Sequence, residues 1–68
     1  MMIHDLVGKT LTLYLLGGHV FTGTVRNITV MEYSESNGTI GKYSVLVIDH
    51  HMNTTMIRVD MVASYEIH

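Results

Sequence analysis

The chain contains no cysteine, no proline and no tryptophan, and only four permanently cationic side chains. Without cysteine it forms no disulfide and offers no thiolate to a zinc site. Its formal net charge is −2, so broad electrostatic binding of nucleic acid is unfavourable, since that affinity comes largely from neutralised phosphates. The chain also has no apolar stretch long enough to span a membrane. These absences favour a small protein that gains its stability from partners.

The length restricts the fold to one domain, residues 1–68. A domain of this size buries a small core and is marginally stable without staples or partners. The apolar fraction, 47%, and the mean hydropathy, +0.27, are high for a small monomer. Because disulfides are excluded, we expect the surplus apolar surface to be buried in subunit contacts. Residues 1–7 lack the basic start and long apolar run of a signal peptide, so the sequence predicts a cytoplasmic location.

The hydropathy pattern predicts one short helix followed by five strands. Residues 2–7 form the only helical pattern, which ends at Gly8 and would cover an open end of the fold with Ile3, Leu6 and Val7. From Thr10 the period becomes two, as in a half-buried strand. Gly17-Gly18 indicates a hairpin turn, and a long second strand follows from about residue 19 to residue 33.

The remaining strands are predicted at residues 43–49, 54–58 and 62–67, after a loop at 34–38. Gly23 lies inside the second strand, where glycine marks a sharp bend or a close backbone approach. The pattern thus predicts an all-β fold, a small, strongly bent five-stranded barrel. The expected buried residues are Leu11, Leu13, Leu15, Phe21, Val25, Val45 and Val47.

Two blocks of this sequence resemble the Sm-like family. The alternating leucines, the turn Gly18, the aromatic Phe21, and Gly23 match its first motif, and Ile57-Arg58 resembles the start of the second. The resemblance implies an SH3-like (Sm-fold) barrel with a short N-terminal helix. It also implies a closed homo-oligomeric ring of five to seven subunits that binds single-stranded RNA or acts as an RNA-processing scaffold.

The sequence departs from the family at the positions that recognise RNA. Thr29 and Tyr33 stand where the family has Asp and Asn, and Val59 replaces the glycine after the arginine. The resemblance therefore carries over Arg58 as the RNA contact, with Thr29, Glu32 and Tyr33 shaping the neighbouring loop between strands two and three. For the ring, we expect pairing of the edge strands four and five, through Met56, Ile57, Val62 and Tyr65.

Two functions stay open: an RNA-binding ring, or a ring-forming structural or protein-interaction module that lacks the RNA pocket. An enzyme is not expected, because no nucleophile motif, paired carboxylates or phosphate loop is present. Neither a metal nor a cofactor is expected. His50 and His51 are adjacent, and adjacent strand residues point to opposite faces.

Overall fold

The computed structural model describes residues 3–68, with side chains from Asp5 onward. Five antiparallel strands form one sheet, in the order β4-β3-β2-β1-β5. The strands are β1 (Thr10–Leu15), β2 (Val20–Ser34), β3 (Ile40–His50), β4 (Asn53–Arg58) and β5 (Val62–Ile67). The all-β prediction is confirmed, and the main difference in bounds is that β3 begins three residues earlier than expected.

The N-terminal element is a single 3-10 turn, Ile3–Leu6, so the expected short helix over residues 2–7 is not confirmed beyond this turn. Met2 and the side chain of Ile3 lie outside the described part of the chain. Leu6 is buried as expected, whereas Val7 is exposed. One turn cannot offset the cost of helix nucleation, so burial of Leu6 decides its conformation.

The sheet must curl, because its two edge strands are neighbours in the chain. Five flat strands would place β4 and β5 about 19 Å apart, four strand spacings of about 4.8 Å. Only the 3-10 turn Val59–Met61 joins them, and a fully extended connection of four residue steps reaches about 14 Å. The Leu16 amide also donates to the Met61 carbonyl at 2.9 Å. Within residues 3–68 no strand pairing joins β4 to β5, so the sheet is curled without being closed.

The core lies on the inner face of the curled sheet. Its buried residues are Leu6, Leu11, Leu13, Val25, Leu46, Ile48 and Ile57. Of the predicted core, Leu11, Leu13, Val25 and Val45 are buried. Leu15 and Phe21 are only partly buried, near the turn of the β1–β2 hairpin. Val45 and Val47 alternate with core residues, so both side chains lie on the outer face.

Strand β2 is long and irregular, as the sequence predicts. Its pairing with β3 shifts register between Val25 and Asn27, which leaves Arg26 as the extra residue of a bulge. The Arg26 guanidinium meets the Asp49 carboxylate at 2.8 Å. Hydrogen bonds from Arg26 and from Thr54 hold the pKa of Asp49 below its usual value. The bulge therefore carries its own surface ion pair, which ties β2 to β3.

The far end of the β2–β3 hairpin extends beyond the other strands. β1 pairs with β2 only up to Thr24, and β4 pairs with β3 only from Val45 onward. Residues 30–34 and 40–44 therefore pair only with each other, and we call them the ribbon. Its turn, residues 35–39, has Gly38 at positive φ. None of the described helices is long and apolar enough to cross a membrane.

Candidate functional site

The strand register places three of the four predicted RNA-contact residues on the outer face. Thr29 on β2 and Arg58 on β4 both pair with Val45 of β3, from opposite sides. Tyr33 lies four residues along β2 from Thr29, on the same face. Val45 is only 3% exposed although it faces away from the core. Neighbouring side chains on the outer face therefore cover Val45.

Arg58 is held by two neighbours. Its guanidinium carbon lies 4.2 Å from the centroid of the Tyr43 ring, a cation–π geometry. On its other side the guanidinium donates two hydrogen bonds to the Asp60 carboxylate, at 2.7 and 3.1 Å. The Asp60 hydrogen bonds raise the pKa of Arg58, so the side chain is permanently charged. Arg58 is thus positioned before any ligand arrives, with its charge partly satisfied by Asp60.

Tyr33 lies on the ribbon beside Tyr43, and we call the side chains of Tyr33, Tyr43 and Arg58 on the outer face the strip. The Tyr33 ring centroid lies 6.1 Å from that of Tyr43, with the ring planes tilted by 38°. Tyr33 pairs with Gly41, and a Cβ built at Gly41 would overlap the Tyr33 ring. The ring therefore lies over the bare backbone at Gly41. Tyr33 remains 46% exposed, so part of its ring surface faces solvent.

Glu32 does not join this strip. It alternates with Met31 and Tyr33 along β2 and so points to the opposite face, where its carboxylate lies 3.8 Å from the Lys42 ammonium. The expectation that Thr29, Glu32 and Tyr33 shape a loop is wrong, because all three lie inside β2. The loop between the strands comes later, at residues 35–39. The strand pattern itself predicts a second strand to residue 33 and a loop at 34–38, and only the family resemblance assigns these three residues to the loop.

The predicted interface residues divide into two groups. Met56 and Tyr65 lie on the edge strands β4 and β5 and are exposed. Ile57 is buried in the subunit's own core, and Val62 packs against that core. The side chains of Ile57 and Val62 therefore belong to the core, whereas those of Met56 and Tyr65 are exposed at the two edges. Tyr65 also lines an apolar cavity of about 470 Å³ together with Leu6, Leu13, Leu46, Val59, Val62, Ala63 and Ser64.

The two adjacent histidines do not point apart. His51 has φ +55° in the β3–β4 turn, and its ring centroid lies 4.3 Å from that of His50. The strand argument fails there because β3 ends at His50. The His50 Nδ1 makes a 2.6 Å hydrogen bond with the Thr22 carbonyl. Among the described residues, no group of three or more His, Cys, Asp or Glu side chains is arranged to hold a metal ion.

Sequence reasoning did not assign three residues to this site. Tyr43 is part of the strip, Gly41 lies under the Tyr33 ring, and Asp60 is hydrogen-bonded to Arg58. Tyr43 lies two residues before Val45 and therefore on the same face, but the predicted β3 begins at residue 43, so the sequence did not predict the ribbon. Asp60 follows Arg58 by two residues, and only the turn after β4 brings the two together. Protein-family models, curated proteins and solved structures give no match to this chain.

Proposed function

We propose that this chain is a divergent Sm-like subunit that assembles edge to edge into a closed ring and binds single-stranded RNA through Arg58. Its curled sheet would correspond to the SH3-like barrel of that family. Motif resemblance in the blocks around Gly18 and Arg58 supports the family. The observation that carries the proposal is the sheet order, which leaves β4 and β5 as the two edges.

Edge pairing is the physical basis of the proposed ring. An edge strand presents unpaired backbone N–H and C=O groups that readily accept another strand. β4 of one subunit and β5 of the next would satisfy both sets, and repetition around an axis closes a ring. Met56 and Tyr65 are exposed on these strands and would contribute apolar area to each contact. The pairing lies in the plane of the sheet, so it leaves the outer face open.

RNA binding is proposed for the outer face at Arg58. Arginine donates bidentate hydrogen bonds to phosphate and stacks on planar groups. A ring would repeat Arg58 once per subunit, which compensates for the scarcity of other cations. Each subunit still carries a net charge of −2, so we expect weak binding that requires low salt.

The proposal is tested by measuring the solution mass together with binding to short oligouridylate and oligoadenylate. We expect a mass of five to seven subunits and measurable affinity at low salt. Arg58→Ala should retain the mass and lose most of the affinity. The slope of log affinity against log salt should fall by about 0.7 for each phosphate that Arg58 contacts. Arg26→Ala is the matched control, because Arg26 pairs with Asp49 away from the strip.

Two observations favour a second function, a ring-forming structural or protein-interaction module. Asp60 already satisfies two donors of Arg58, and the chain is acidic overall. A ring of the expected mass that binds no oligonucleotide even at low salt would select this second function. A stable monomer at micromolar concentration would exclude both.

A further inference from the structure

The strip formed by Tyr33, Tyr43 and Arg58 has the parts of a nucleotide site with a built-in competitor. The rings of Tyr33 and Tyr43 lie near the Arg58 guanidinium on the outer face, and that guanidinium is paired with the Asp60 carboxylate. We propose that Tyr33 stacks a nucleobase, that Arg58 takes the adjoining phosphate, and that Asp60 is an intramolecular competitor displaced by that phosphate. This inference rests on the proposed RNA function and adds three residues to it.

Tyr33 is suited to stacking because its ring is supported by backbone and is partly open to solvent. Gly41 leaves room for the ring directly over the β3 backbone, since a Cβ at that position would overlap the ring as it lies. The side chain is 46% exposed, so a base can reach the ring. Stacking on an aromatic ring tolerates every base, which fits a site without the family's base-recognising Asp and Asn.

Tyr43 and Arg58 form the second half of the strip. The guanidinium lies over the Tyr43 ring, so Tyr43 orients Arg58 instead of offering that side to a base. The Tyr33 and Tyr43 ring centroids lie 6.1 Å apart, and the Arg58 guanidinium carbon lies 4.2 Å from the Tyr43 centroid. A single nucleotide or a dinucleotide can therefore contact both Tyr33 and Arg58.

Asp60 occupies the place that a phosphate would take on Arg58. Its carboxylate makes the same two-point contact with the Nε and Nη2 groups that a bidentate phosphate makes. The pair is about half exposed on both sides, so its net stability is small and an incoming phosphate can displace it. Removal of the Asp60 charge should therefore tighten binding instead of weakening it.

The chain offers a matched control for this gain. Glu32 is also an exposed, ion-paired carboxylate, but it lies on the opposite face of the ribbon with Lys42. Glu32→Gln and Asp60→Asn each remove one negative charge per subunit. Only Asp60→Asn frees the strip, so the comparison separates a local competitor from a change of net charge.

The experiment measures affinity for short oligouridylate by fluorescence anisotropy at low salt, with circular dichroism and solution mass as checks on each variant. Asp60→Asn should bind about two- to fivefold more tightly than wild type, the range of an exposed ion pair. Glu32→Gln should show a smaller gain. Tyr33→Ala should bind about tenfold more weakly, and Tyr33→Phe should retain wild-type affinity because stacking needs the ring alone.

Equal gains from Asp60→Asn and Glu32→Gln would overturn the competitor, and unchanged affinity of Tyr33→Ala would overturn the stacking site. In either case, loss of binding by Arg58→Ala leaves the proposed function standing. If neither wild type nor Asp60→Asn binds RNA, the proposed function fails, and this inference fails with it.

Discussion

At the scale of single residues, Gly23 decides how closely β2 approaches β3. A Cβ at Gly23 would overlap the Ile48 side chain and lie 2.6 Å from the Asp49 carbonyl oxygen. Both neighbours resist movement, since Ile48 is completely buried and Asp49 pairs with Thr24 in the sheet. The sequence-based expectation of a bend or close approach is confirmed as a close approach.

Gly23→Ala should therefore destabilise the protein by about 1–3 kcal/mol, the cost of forcing an extra methyl group into a packed site. Urea unfolding followed by circular dichroism measures the loss. Gly17→Ala is the control, because a Cβ there meets nothing closer than His19 Cδ2 at 3.7 Å. If the two variants are equally stable, Gly23 does not set the β2–β3 spacing.

At the scale of elements, the ribbon at the end of β2 and β3 differs from the rest of the sheet. No described strand flanks it on either side, and it carries exposed apolar residues, among them Val30, Met31 and Ile40. A two-stranded hairpin alone is marginally stable in water. The ribbon is also where Tyr33 and Tyr43 lie, so the candidate RNA site spans a stable part and a weakly supported part of the fold.

We expect backbone amides in the ribbon to exchange with solvent deuterium at least about tenfold faster than those of β1, because local opening there needs no disruption of the core. Hydrogen exchange resolved by residue or by short peptide measures this directly. Leu11 and Leu13 in β1 provide the protected reference, since both are buried. Equal protection of the ribbon and β1 would mean that the ribbon is covered by a neighbouring subunit.

At the scale of the whole molecule, the proposed assembly depends on the two sheet edges. β4 and β5 are neighbours in the chain but lie at opposite edges, so each subunit offers one edge on either side. A contact between β4 of one subunit and β5 of the next is heterologous, and repeating such a contact around a rotation axis produces a ring. Ile57 on β4 belongs to the core, so a charge at that position would unfold the subunit before any effect on assembly could be seen.

Met56→Lys should convert the proposed ring into a folded monomer. Met56 is 54% exposed on the edge strand, and lysine on an edge opposes strand addition. Analytical ultracentrifugation measures the mass, and circular dichroism shows whether the β fold is retained. Met52→Lys is the control, because Met52 lies in the β3–β4 turn and is 99% exposed. A Met56→Lys protein of unchanged mass would contradict assembly through β4.

The sequence by itself determined the elements whose signals are local. The alternation of Leu11 and Leu13, the Gly17-Gly18 turn and the final strand at residues 62–67 were all predictable, since period two and turn chemistry act between near neighbours. The edge position of β4 and β5 was also expected, and the structure confirms it. The type of the first element was not predictable, because one turn depends on packing.

Only the tertiary structure decided which residues share a face of the sheet and which of them contact each other. The β2–β3 register joins Thr29 to the row of Arg58 and separates Glu32 from it. The turn after β4 returns Asp60 to Arg58, and the end of β3 at His50 brings two histidine rings together. Such contacts depend on strand register and turn geometry, and a shift of one residue would reverse every face.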